Sequence, residues 1–174
     1  PDENYPLPPE GDMIHMANQK KWIKFTDPDI SESLLHWWKD LDTNRGDRAD
    51  LRRCKVPEDV FFVPAYHRLR QLMKPFGSRD EPLGVVAGVL SHVNAYDGSE
   101  KFACQLARMP PGKDSPVMSS LRFRKLLSIR DSTTLFREGI RAVRLLDGAV
   151  NIPDLAQGLY WWNVGTRKEW AVAY

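Results

Sequence analysis

The 174-residue chain is poor in cysteine, with Cys54 and Cys104 fifty residues apart. That pair builds neither a disulfide framework nor a zinc signature, and it fits a reducing, cytoplasmic setting. Long apolar runs are missing as well. The charge-free run Leu83–Tyr96 is too short for a bilayer and carries Ser91, His92 and Asn94, which excludes a membrane span. No apolar segment follows a basic start, so no secretory signal is expected, and the opening at Pro1 reads as a trimmed start.

Catalytic signatures are lacking too. His15, His36, His67 and His92 fall into no metal-binding spacing, there is no glycine-rich phosphate loop, and no Gly-x-Ser-x-Gly elbow occurs. Asp40, Asp42, Asp47 and Asp50 read as capping or surface acids, not as a two-metal cluster. The expectation is a protein that is not an enzyme and needs no cofactor or metal. Alternating runs bounded by Asn-Gly or Asp-Gly are absent, and no solenoid period is seen, which speaks against hairpins and repeats.

What the chain does have is helical patterning and unevenly placed charge. Residues 1–12, with four prolines, read as an irregular acidic tail. Candidate helices follow at 13–25, after a cap at Asp29 or Ser31, from Gly46 to Cys54, from Pro57, over Ala65–Met73, over Leu83–Tyr96 (a buried strand or a buried helix, its length favouring helix), over Glu100–Met109, Met118–Arg130 and Thr134–Leu146, from Pro153 to Trp162, and from Thr166 onward. Ser132 is a candidate cap and Gly148 a candidate stop. The fold class expected is all-α: two small helical bundles packed as one compact unit of about eight to ten helices. An N-terminal half (13–112) and a C-terminal half (113–174) meet at the Pro/Gly loop near 110–117.

The net charge of +2 conceals three blocks. Residues 1–33 hold seven acids against three lysines, a net −4; residues 45–74 hold eight bases against four acids, a net +4; residues 101–148 hold ten bases against four acids, a net +6. A local field of this kind, not the total charge, attracts a phosphate chain. In Thr134–Leu146, Phe136, Ile140 and Val143 share one face while Arg137, Arg141 and Arg144 recur at i, i+4 and i+7 along roughly 10 Å of helix. Like charges so placed disfavour a helix by about 0.2–0.5 kcal/mol per pair, and only Glu138 is near enough to offset them. An external anion would complete such a row; acids from the N-terminal half are the alternative partners. In the preceding helix Phe123, Leu126 and Leu127 form the apolar side, and Arg122, Arg124 and Lys125 the basic one. Arg130 suits that helix's C-terminal dipole. Arg48 and Arg52 stand at i,i+4, whereas Arg53 has a local partner in Asp50. Arginine binds phosphate bidentately and carboxylates equally well. In Trp37-Trp38 and Trp161-Trp162, one ring of each pair can be core while the other faces another helix or a partner, and core packing is the expected use.

Several segments together resemble a known family. Trp38-Lys-Asp-Leu41, Arg45-Gly-Asp-Arg-Ala-Asp-Leu-Arg-Arg53, Val63-Pro-Ala-Tyr-His-Arg-Leu69 and Pro75-Phe-Gly77 are similar to the CasB family. So are Leu121-Arg-Phe-Arg-Lys-Leu-Leu127, Arg144-Leu-Leu146 and Leu159-Tyr-Trp-Trp162, so that the likeness runs in order over residues 34–174. The resemblance implies an all-helical, non-enzymatic small subunit of the type I-E CRISPR surveillance complex, Cascade. Its implied partners are the backbone and large subunits, a second copy of itself, the crRNA–target DNA assembly and the displaced single strand. The family's basic positions fall near Arg52 and Arg53, near Arg122 to Lys125, and near Arg144. Together with the arginine row, the candidate nucleic-acid contacts are Arg52, Arg53, Arg122, Arg124, Lys125, Arg137, Arg141 and Arg144. The competing readings are a structural adaptor that touches only protein, and a stand-alone helical DNA-binding regulator.

Overall fold

The computed structural model describes residues 22–174. The acidic tail and most of the candidate helix at 13–25 lie outside the described residues. Within them the chain forms ten α-helices and two very short strands: α1 (Pro28–Thr43), α2 (Arg45–Arg53), α3 (Pro57–Val60), α4 (Pro64–Met73), α5 (Asp80–Leu90), β1 (Ala95–Tyr96), α6 (Phe102–Ala107), α7 (Ser120–Leu127), α8 (Ser132–Leu145), β2 (Ala149–Val150), α9 (Ile152–Tyr160) and α10 (Val164–Ala173). The fold is all-α, as the pattern predicts. No helix among the described residues is long and apolar enough to cross a membrane.

The axle of the molecule is α5. Every residue from Leu83 to Leu90 is buried, because α8, α9, α3 and α4 all pack around it. A helix apolar on all sides is stable only when neighbours cover all of it. Gly88 makes one of these contacts possible, since a Cβ there would overlap the Phe136 ring of α8. The helix stops at Leu90 and does not run on to Tyr96 as its length suggests. The chain turns instead, and Ala95–Tyr96 pairs in parallel with Ala149–Val150. This pairing joins distant parts of the chain, which local periodicity cannot register.

Prolines and short polar side chains set the helix ends. Pro28, Pro57 and Pro64 occupy first-turn positions, where a missing N–H costs nothing. Asp27, not Asp29 or Ser31, holds the cap position of α1. Asp131, not Ser132, caps α8 by accepting from the Thr134 N–H at 2.8 Å, and Asn163 caps α10 by accepting from the Thr166 N–H at 3.1 Å. In each case the accepting side chain stands three residues before the N–H it satisfies.

Residues 22–25 are not helical. They run along α9, where the Phe25 N–H donates to the Gln157 side chain at 2.8 Å and the Trp161 indole donates to the Ile23 carbonyl at 2.8 Å. Both Trp37 and Trp38 are buried, in keeping with core packing. Their indoles donate to the carbonyls of Ala65 (2.8 Å) and Val93 (3.3 Å), so each polar tip is satisfied inside the core. Trp161 and Trp162 are both half-buried.

Candidate nucleic-acid interface

Helices α7 and α8 are pinned from behind by the C-terminal pair. Trp162 donates to the Ile129 carbonyl at 3.1 Å and Arg167 to the Leu127 carbonyl at 3.2 Å. Arg167 thus brings a cation to the end of α7, which carries Arg124 and Lys125 in its last turn and closes three residues before Arg130. Tyr174 stacks on Phe123 with ring centroids 3.9 Å apart. Phe123 and Leu126 of α7 are buried, as are Phe136, Ile140 and Val143 of α8. With these faces fixed inward, the adjoining basic positions of the two helices face each other across a groove.

The groove has a volume of about 470 Å³ and is lined by Arg122 and Lys125 from α7, by Glu138, Arg141 and Arg144 from α8, and by Met118, Leu126 and Leu145. Four cations thus share the groove with one carboxylate. Arg141 is already engaged by Glu138, its neighbour at i−3. Among the described residues, Arg122, Lys125 and Arg144 have no carboxylate partner. Among the described residues, no acid of the N-terminal half pairs with this row. Those acids serve their own neighbourhood, with Asp42 pairing Arg48, Asp47 pairing Arg68 and Asp80 pairing Arg70.

The candidate residues separate into three groups. Arg122, Lys125, Arg141 and Arg144 come together in the groove. Arg52 approaches it from α2, donating to the Ser91 carbonyl at 2.7 Å and to the Asn94 side chain at 3.0 Å. Asn94 in turn packs against Gly148, whose φ of +79° carries the chain out of α8 just after Arg144. Two basic segments far apart in sequence therefore meet where α5 ends. The remaining candidates, Arg53, Arg124 and Arg137, do not line the groove. Arg53 is held by Asp50, the local pair that the sequence suggests. Arg137 sits near the capping Asp131, whose pKa it helps lower, after the Thr134 hydrogen bonds.

The periodicity missed His92. This half-buried side chain titrates well below the usual imidazole range, at about 4, because burial disfavours its charged form and Arg144 and Arg52 add their fields. Arg52 is itself lowered by burial first, then by Arg48 and Arg144. Local sequence carries no signal for this cluster, since His92 ends an apolar run and its charged neighbours come from α2 and α8. Met118 and Leu145, the apolar side of the groove, were equally hidden among core-type residues. Among the described residues no group of three or more His, Cys, Asp or Glu is placed to hold a metal ion.

Residues 47–174 match the family of CRISPR-associated protein Cse2. The matched span runs from α2 to the last residue and includes every candidate contact. No curated protein sequence matches the chain. In fold the chain is similar to a chain in the crystal structure of E. coli Cascade bound to a PAM-containing dsDNA target, with a TM-score of 0.58 and 22% identity over 82% of this chain and 91% of that one.

Proposed function

This chain belongs to the Cse2 (CasB) family of CRISPR-associated proteins, and we propose that it is the non-catalytic small subunit of an RNA-guided surveillance complex. In this role it steadies the crRNA–target assembly and the displaced DNA strand by phosphate contacts along the α7–α8 groove, with Arg52 extending the basic track. Its partners are the backbone and large subunits of the complex and a second copy of itself. The observation that carries this reading is the convergence of Arg122, Lys125 and Arg144 on one groove with no carboxylate partner among the described residues.

The physics suits the task. In RNA-guided recognition base pairing reads the sequence, and exchanging a DNA duplex for a hybrid is nearly balanced in free energy. A few phosphate contacts are then enough to tip it. Such contacts carry no sequence information, which agrees with helices that display arginine and lysine without the Asn and Gln used on base edges.

Binding of single-stranded DNA over a salt series tests the reading. The R122A/K125A/R144A variant is expected to bind much more weakly, with the slope of log K against log salt shallower by about 2, since each phosphate contact on a single strand contributes roughly 0.7. Unchanged affinity and slope would remove these residues from the contact surface.

A further inference from the structure

We infer that the α7–α8 groove seats one unstacked base of a single strand, with its apolar wall taking the base and its cationic rim the flanking phosphates. The inference rests on the phosphate-binding reading of the same groove and adds to it a specific ligand group, the nucleobase, and a preference for single strands over duplex.

A surface that only tracks phosphates needs cations and nothing else. This groove is a recess of about 470 Å³ with Met118, Leu126 and Leu145 among its lining, a size within the range of roughly 300–1,000 Å³ typical of small-molecule sites. Met118 and Leu126 are buried and Leu145 half-buried; of the cations that share the lining with them, Arg122 and Lys125 are three positions apart on α7, and Arg141, paired with Glu138, and Arg144 three apart on α8. Each pair is nearly one helical turn, so its two members lie on the same side of their helix. A strand crossing the groove brings a phosphate to each rim, with the intervening base over the apolar residues. An acidic peptide lacks that regular alternation of charge and flat apolar face. A duplex cannot deliver a base to the recess without breaking a pair, and the groove therefore favours strands that are already unpaired.

Competition binding with the full chain at low salt tests this directly. The probes are a thymidine oligonucleotide and a strand of equal length and phosphate count made of abasic sugars. The abasic strand is expected to bind about tenfold more weakly, as burial of one base face would give, with the same salt slope. Leu145→Gln, at a half-buried position, should shrink that difference by weakening the thymidine strand more than the abasic one. Equal affinity for the two strands overturns base seating and leaves the phosphate reading intact. Failure to hold either strand overturns both. Tighter binding of a Glu-Leu repeat peptide than of either strand makes the groove a protein-docking site and also overturns the inference.

Discussion

The arginines of α2 and those of α8 are similar in number and spacing, yet the fold uses them in opposite ways. Around α2, Arg48 is paired with Asp42, Arg53 with Asp50, and Asp47 with Arg68 of α4. Arg48 and Arg52 also donate to the carbonyls of Val93 (3.3 Å) and Ser91 (2.7 Å) just past the end of α5, where a cation complements the helix dipole. Arg48 thus fastens α1 and α2 to the central helix, whereas Arg52, anchored at the same place but without a carboxylate partner among the described residues, lies in the field of Arg144. On α8 there is a single acid, Glu138, for three arginines; it pairs Arg141, and Arg137 and Arg144 have no carboxylate partner among the described residues. The difference lies in the acids: α1 and α2 supply Asp42, Asp47 and Asp50 within reach, whereas α8 carries one. Basic residues matched by local acids act as structural ties. Basic residues without them form a field that an external polyanion can complete.

The contrast is broken most severely at Arg48. Its side chain is largely buried against Asp42, and its guanidinium lies 5.8 Å from the Trp38 ring. Arg48→Ala should lower unfolding free energy in urea by about 2 kcal/mol, the scale of a lost charge-assisted hydrogen bond with its packing. The groove variant R122A/K125A/R144A should stay within about 0.5 kcal/mol of the parent protein, as unpartnered surface cations do. A large loss in the groove variant, or none in Arg48→Ala, would erase the distinction.

His92 sits where the two regions meet and offers a titration to sharpen it. Its pKa in the fold, about 4, is below the unfolded value of 6.5. Above pH 6.5 both states are neutral there, and the group adds no pH dependence. As pH falls from 6.5 toward 4, the unfolded state binds a proton that the fold refuses, and stability declines. The decline should be on the order of 2 kcal/mol and should be absent in His92→Gln. Urea unfolding at pH 7 and pH 5 for both proteins measures it, and identical slopes against pH would rule out His92 as the cause.

The smallest effect is expected at Arg53. Its pair with Asp50 is solvent-exposed, so Arg53→Ala should change stability by less than about 0.5 kcal/mol. With Asp50 occupying it, single-strand affinity should hardly fall either. A strong binding defect in that variant would extend the interface across α2 and weaken the division between tie and field.

Much of the fold was legible because it is written in local spacing. The apolar face Phe136, Ile140 and Val143, the Pro57 start, and the stop at Gly148 all follow from residues within a turn or two of one another. The errors arise where distant chain decides. Residues 22–25 are not helical, with Gln157 accepting the Phe25 N–H and Trp161 donating to the Ile23 carbonyl. Tyr96 is in a strand because Val150 is beside it. The candidate site divides in the same way: the arginine row was visible in one helix, but nothing local distinguishes Arg144, which joins the groove, from Arg137, which does not.

By itself the sequence determined that the chain is helical and carries a surplus of positive charge on α7 and α8, since amphipathic periodicity and the lack of nearby acids are properties of single segments. Tertiary structure alone decided which cations converge, that Arg52 and Arg144 meet at His92, and that Met118 and Leu145 lie among the charges. The physical reason is that the groove lies between two helices held by different parts of the fold, α8 by α5 and α7 by Trp162, Arg167 and Tyr174. Its composition depends on which faces α5, α9 and α10 draw inward, and no short window of sequence contains that information.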